Sequence, residues 1–150
     1  MDYESVSLAT YEAALAAKTY DITANRGAQQ WFLDRMAFSP RPLEEKMTYF
    51  WNLHWTSGIA KVRSVTLLLN QNKTERQYAV ARFDDLVLKI SQDPAMLIWL
   101  DGQSNTKARP QENFGREIME LFTFGVGNYT EPDVYAAARV FSGWNLRPSE

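Results

Sequence analysis

A stripe of polar residues lies on one side of the predicted helix ENFGREIMELFTFG, which begins at Glu112. At about 100° per residue, Asn113, Glu117 and Glu120 fall in one narrow arc of an α-helix and Arg116 borders that arc, whereas the apolar residues occupy a separate arc. Such a set of carboxylates, guanidinium and amide could move protons, bind a cation or hold a polar substrate. It is also the pattern of an ordinary solvated helix face, in which Glu112 and Arg116 form a helical ion pair.

The chain has a single histidine, His54, in the segment MTYFWNLHW. It continues the apolar stripe of its helix at spacings of three, four and seven residues, so we expect it to be at least partly buried and to need a hydrogen-bond partner. A backbone carbonyl would make it a structural histidine. Pairing with Glu117 or Glu120 would make a carboxylate–histidine unit that can move protons or hold a metal. We expect the polar stripe, with Asn113 and Arg116, to face inward toward His54.

The residue types present exclude or fail to support several other kinds of centre. With no cysteine, thiolate catalysis, disulfides and cysteine-based zinc sites are excluded. Glu117 and Glu120, three residues apart, could reach one cation, but neither H-E-x-x-H nor Glu-x-x-His spacing accompanies them. From the sequence, it is therefore unknown whether the protein binds a metal ion or any other cofactor. No serine lies in a G-x-S-x-G turn, and the FGVGN segment lacks the lysine of a phosphate-binding loop.

Length and composition indicate one folded domain over residues 1–150. Apolar residues make up 45% of the chain and aromatic residues 13%, enough for a substantial core. The net charge of -2 comes without a basic cluster, so nucleic acid is not an expected partner. No stretch approaches the roughly 20 apolar residues of a membrane span, and the first thirty residues lack the apolar core of a signal peptide.

The elements that must position these residues are predicted to be helices. Cap signals recur along the chain, whereas strand alternation is absent, so we expect an all-α fold of about six helices in an irregular or orthogonal bundle. Asn72 and Glu75 have the spacing of a capping box and are predicted to open a long helix. The other predicted helices comprise residues 8–17, 29–38 and 42–55, a short helix that Asp93 caps, the helix from Glu112 to Gly125, and one that Thr130 and Asp133 cap and Gly143 ends.

Two segments resemble those of a known bacterial family, called domain of unknown function 1800. The segment DPAMLIWLDGQSNTKARPQENFGREIMELFTFGVGNYTEPDVYAAARVFSGWNL is similar to its hallmark P-N-E-N-[FY]-A-R-E-L-x-E-L run and the G-x-Y-T-E-x-D-V and T-G-W motifs that follow. The upstream PLEEKMTYFWNLHWTSG resembles its F-W-x-x-H-[FW] segment. Gln111 and Gly115 depart from the family pattern, and Gly115 costs about 1 kcal/mol of helix propensity while allowing closer backbone approach.

The resemblance implies that the polar stripe and His54 belong to a family pattern. Family members look several hundred residues long and are often secreted, so we expect this chain to correspond to an amino-terminal or central portion of the family domain. We also expect exposed apolar surface or self-association. The family name assigns no reaction, so two functions stay open: an enzyme-like site at His54, with Arg116 and Asn113 holding a polar substrate, or a helical module. Such a module would bind a partner protein or an envelope polymer and use the polar cluster as an internal clamp.

Overall fold

The computed structural model describes residues 8–18 and 20–146, with Leu8 and Ala9 described for their backbone alone. Within these residues the chain forms nine α-helices and no strand, which confirms the all-α class. The expected number of about six helices is too low, because short helices such as α4 carry weak sequence signals. The remainder of the predicted domain, residues 1–7, 19 and 147–150, lies outside the described residues. The helices are α1 (Leu8–Ala17), α2 (Asn25–Phe38), α3 (Pro42–His54), α4 (Ile59–Val62), α5 (Val65–Gln77), α6 (Phe83–Ser91), α7 (Pro94–Trp99), α8 (Asn113–Glu117) and α9 (Glu131–Val140).

Local capping chemistry sets several helix starts where the sequence predicts them. Pro42 occupies the first turn of α3. Asp93 caps α7, since its Oδ1 accepts a hydrogen bond of 3.0 Å from the backbone N–H of Met96. At α9, Thr130 and Asp133 form the predicted capping box, and each satisfies a backbone N–H that the first turn leaves unpaired.

The predicted helix start at Asn72 is wrong. The helix that contains Asn72 begins at Val65, where Ser64 is the cap and its Oγ accepts from the backbone N–H of Leu67 at 3.3 Å. Asn72 and Glu75 lie in the middle of α5 and are buried. Their capping-box spacing is therefore coincidental. Both polar side chains lie inside the protein.

An apolar core fills the space between α6, α7, α8 and the end of α3. Trp55 is at its centre, fully buried, with its ring stacked on Phe122 at a centroid distance of 4.9 Å. Burial of side chains of this size is the main favourable term in folding. The core cluster comprises Trp55, Leu86, Ile90, Met96, Leu97, Leu100, Phe114, Ile118 and Phe122.

A second interior region, between α2, α3 and α5, is polar. We call it the polar core; its buried members on α3 and α5 are Glu45, Thr48, Gln71, Asn72 and Glu75. Helix α3 thus directs polar side chains inward, while Leu43, Phe50 and Leu53 on its other side are at least half exposed. This orientation is the reverse of ordinary helix amphipathicity, and it requires that the buried polar groups find partners.

An apolar groove with a volume of about 420 Å³ lies on the surface beside α6. Its apolar lining comprises Phe83, Val87, Leu88, Ile118, Phe124, Phe141 and Trp144. We call it the α6 groove. None of the helices in the described part of the chain combines the length and the apolar character that crossing a membrane requires.

Candidate functional site

The helix that carries the polar stripe is not regular. It is α-helical over Asn113–Glu117 and then continues as a π-helical segment, Ile118–Thr123. The backbone N–H of Phe124 donates to the carbonyl of Met119, five residues back, at 2.7 Å. Segments of this kind are rare and are found frequently at functional sites. The arc calculated for a regular α-helix therefore does not hold for Glu120, which lies within the π-helical segment.

His54 reaches the end of this segment from α3. Its Nε2 lies 3.1 Å from the carbonyl oxygen of Phe122. Because a carbonyl can only accept, Nε2 carries a hydrogen and donates it, which leaves Nδ1 as an acceptor in the neutral ring. The imidazole is half-buried, with its ring stacked against Phe50 and edge-on to Trp55. His54 thus satisfies one of the last carbonyls of the helix, which have no partner within it.

This bond corrects the predicted pairing of His54 with Glu117 or Glu120. Among the described residues, His54 makes no hydrogen bond to either carboxylate, because its partner is the carbonyl group at the helix end. Glu117 is half-buried, and its carboxylate forms no hydrogen bond or ion pair with any described residue. Glu120 instead accepts a hydrogen bond from the hydroxyl of Tyr129, which raises the pKa of that phenol.

Arg116 joins α8 to the start of α9. Its Nη1 and Nη2 donate to the two carboxylate oxygens of Glu131, each at 2.8 Å, which is the paired geometry that makes such contacts strong. Nη2 also donates to Glu112 at 3.0 Å, so the helical ion pair considered from the sequence is present. Hydrogen bonds from Arg116 lower the pKa of Glu131, and those to Glu131 and then Glu112 raise the pKa of Arg116.

Asn113 connects the same helix to the end of α7. Its Nδ2 donates to the carbonyl of Leu100 at 3.0 Å. The bonds of Asn113, Arg116 and Glu120 to other elements thus lead to the end of α7 and to the start of α9, and none leads to His54. The expectation that the polar stripe converges on His54 is wrong, since each side chain is taken up by a nearer partner. Close packing of α8 on α9 depends on Gly115, because a Cβ there would lie 2.7 Å from that of Ala137.

The sequence interpretation missed an ionic network within the polar core. The fully buried carboxylate of Glu45 accepts from Nε of Arg35 at 3.0 Å and from Nε and Nη2 of Arg76, each at 2.9 Å. Arg35 also binds Glu12 on α1 through two hydrogen bonds, which lower the pKa of that glutamate. No local signal marks it, because Arg35 and Arg76 lie 10 and 31 residues from Glu45 along the chain.

The polar core also contains polar atoms without partners. Asn52 donates to Oε2 of Glu75 at 3.1 Å, but Oε1 of Glu75, Nε2 of Gln71 and Oδ1 of Asn72 are buried and have no hydrogen-bond partner among the described residues. Burial raises the pKa of Glu75 to about 8, so this carboxyl is mostly protonated at neutral pH. Ser57 donates its hydroxyl hydrogen to Oε1 of Gln71.

These amides border a pocket of about 150 Å³. We call it the amide pocket; its polar lining comprises Asn25, Gln29, Asn52, Ser57, Gln71 and Asn72, and Phe32 is among its apolar residues. As for metal ions, residues 8–18 and 20–146 contain no group of three or more histidine and acidic side chains that could hold one.

The fold and these contacts define an all-α protein in which polar side chains connect α8 and the π-helical segment after it to their neighbours. Residues 3–150 match the model of a family described as protein of unknown function (DUF1800), and the chain belongs to this family. The match confirms the family indicated by the sequence motifs. No curated protein and no solved structure matches the chain.

Proposed function

We propose that the chain is a helical binding module in which the motif's polar residues are internal clamps, and that it binds a partner protein or an envelope polymer. One observation carries the proposal: His54, Asn113, Arg116 and Glu120 each bond to a group outside their own helix. These bonds connect α3 to the π-helical segment, and they connect α8 and that segment to the end of α7 and the start of α9.

The clamp role is supported by the hydrogen bonds that these side chains already make within the protein. A general acid or base must be within hydrogen-bond reach of the substrate proton, and a substrate-binding guanidinium needs free donors. Arg116 already binds two carboxylates, and Asn113 donates to a backbone carbonyl. The loss of such a bond leaves its partner group without this hydrogen bond.

An enzyme-like site is the second candidate. It is supported by two groups that the clamps do not use: Nδ1 of His54, which can accept a proton, and the carboxylate of Glu117, which is half-buried without a described partner. In this proposal His54 acts as acid or base, and Glu117 orients a polar substrate or binds a cation.

Unfolding in urea of His54→Ala, His54→Gln and Glu117→Gln separates these two roles. As a clamp, His54 supplies a hydrogen-bond donor, so we expect His54→Ala to lose about 1 kcal/mol and His54→Gln, whose amide can donate to the same carbonyl, to recover part of the loss. Glu117→Gln is the matched control and should change the free energy of unfolding by less than about 0.5 kcal/mol. A gain in stability in His54→Ala would favour the enzyme-like site, because residues kept for chemistry commonly cost stability.

Binding is measured separately, by co-sedimentation of the purified chain with insoluble peptidoglycan. Saturable binding that survives moderate salt would support the envelope-polymer form of the proposal. Absence of binding, together with a stabilising His54→Ala substitution, would contradict the module as a whole.

A further inference from the structure

A second pocket, with a volume of about 290 Å³, lies between α1, α2 and α5. We call it the cationic pocket; its lining comprises Glu12, Leu15, Ala16, Trp31, Arg35, Lys73 and Arg76. Its volume is close to the lower end of the range of small-molecule sites, about 300 Å³. Three of the lining side chains are cationic, although the net charge of the whole chain is -2.

These cations outnumber the carboxylates that bind them. Glu12 and the buried Glu45 both accept hydrogen bonds from Arg35, and Glu45 also accepts from Arg76. Lys73 forms no hydrogen bond or ion pair with any described residue. Three cationic side chains therefore share two carboxylates, and one positive charge is left without a described partner.

Arg76 has one donor nitrogen that the protein does not use. Its Nε and Nη2 each donate to Glu45 at 2.9 Å, and these bonds fix a guanidinium whose side chain is only 10% exposed. Nη1 forms no hydrogen bond with a described residue, and it is not one of the fully buried polar atoms that lack a partner, so it can be reached from the pocket. A donor that is held in place before a ligand arrives reduces the entropy lost on binding.

The free donors and the apolar wall indicate the class of ligand. Lys73 and Arg76 are three residues apart and lie on the same side of α5, so an ammonium and a guanidinium nitrogen are offered together to an oxyanion. A carboxylate, with one negative charge, matches the single unpaired positive charge, whereas a phosphate group carries up to two. Leu15, Ala16 and Trp31 line the rest of the pocket, so an apolar remainder of the ligand fits there.

We propose that the cationic pocket binds a small organic carboxylate, whose oxygens accept from Nη1 of Arg76 and Nζ of Lys73 and whose apolar part packs against Trp31. The carboxylate belongs either to a free acid or to the carboxyl-terminal residue of a peptide. The inference goes beyond the proposed function and does not rest on it, because none of the clamp residues lines this pocket.

The test is a titration of the whole chain with phenylacetate at low ionic strength, followed by two-dimensional NMR of the Trp31 indole N–H and the Arg76 Nε–H. We expect saturable shifts of both signals. Phenylacetamide, which is neutral, and acetate, which lacks the apolar part, should each bind at least tenfold more weakly, and inorganic phosphate should also bind more weakly than phenylacetate.

A short peptide that ends in phenylalanine distinguishes the two sources of the carboxylate. Tighter binding of the peptide than of phenylacetate identifies a peptide end as the ligand. Equal or weaker binding identifies a free acid, and both results support the carboxylate site.

Lys73→Met is the decisive variant, because this lysine is exposed and its removal leaves no described partner without a bond. It should weaken binding of phenylacetate about fivefold or more and leave the unfolding midpoint unchanged, whereas Lys73→Arg should keep most of the affinity. Lys89→Met, which removes an exposed lysine from α6 outside the pocket, is the matched control and should leave binding unchanged.

Three results would overturn the site: no saturable shift with phenylacetate, equally tight binding of phenylacetamide, acetate or phosphate, or unchanged affinity in Lys73→Met. The clamp role would survive such a failure, because it is measured by unfolding and not by binding of carboxylates.

Discussion

Glu75→Gln should stabilise the protein at neutral pH. Burial raises the pKa of Glu75 from 4.5 to about 8. Folding at pH 7 therefore requires a carboxylate that is charged in the unfolded chain to take up a proton. The difference between these two pKa values corresponds to a cost of about 5 kcal/mol at pH values above both, of which about 3 kcal/mol is already present at pH 7. Glutamine keeps the shape and the acceptor for Asn52 but has no charge to lose, so the free energy of unfolding should rise by up to about 3 kcal/mol.

The sign of the pH dependence follows from the same values. A group whose folded pKa is raised favours the folded state most at pH values below its unfolded pKa, and that contribution is lost as pH rises through the folded value. For Glu75 the loss extends from about pH 4.5 to pH 8. Asp93, whose pKa burial raises from 3.8 to about 6, contributes a similar loss at lower pH. The interval from pH 6 to pH 8 therefore reports mainly on Glu75.

Urea unfolding followed by far-ultraviolet circular dichroism, repeated from pH 5 to pH 8, measures both effects. The stability of the unmodified chain should fall across the upper half of this range, and that of Glu75→Gln should change much less. Glu44→Gln, on the more accessible side of α3, is the matched control and should alter neither quantity appreciably. The interpretation of the polar core would be refuted if Glu75→Gln were destabilised at pH 7 and kept the pH dependence of the unmodified chain.

Three further outcomes can be measured, two by unfolding and one by sedimentation. Gly115→Ala should lose about 1–3 kcal/mol despite the gain in helix propensity, because its Cβ would meet that of Ala137 at 2.7 Å, and a second change, Ala137→Gly, should restore stability. Glu45→Gln should lose about 3–5 kcal/mol, since it leaves the buried guanidinium of Arg35 and that of Arg76 without their shared carboxylate; an unchanged unfolding midpoint would contradict this. Self-association through the α6 groove stays a prediction, and sedimentation velocity over a range of concentrations should show a dimer, whereas a monomer that binds no hydrophobic dye would count against it.

Features that depend on a few neighbouring residues, such as helix caps and family motifs, could be predicted from the sequence. Asp93 and the Thr130–Asp133 pair begin their helices as predicted because a cap needs only the next turn of the chain. Gly125 and Gly143 have positive φ angles, which suits their predicted role as helix ends. The family was likewise evident, since its motifs are short runs of sequence.

Contacts between distant residues could not be predicted in this way. His54 bonds to a carbonyl 68 residues further along the chain, and no side-chain pattern marks a backbone acceptor. Glu45 is buried because Arg76, 31 residues later, neutralises it. Polar residues on a helix are expected to face water, so an inward polar face on α3 becomes evident only when its partners on α2 and α5 are known.

The polar core has a consequence for how stability depends on temperature. Exposure of apolar surface on unfolding raises the heat capacity, whereas exposure of polar surface lowers it. Part of the interior of this chain consists of carboxylates, guanidinium groups and amides, so its heat-capacity change on unfolding should be smaller than that of an equally long protein with a wholly apolar interior. A smaller heat-capacity change flattens the curve of free energy against temperature. The domain should therefore lose little stability on cooling and should keep similar stability over a wide range of temperatures.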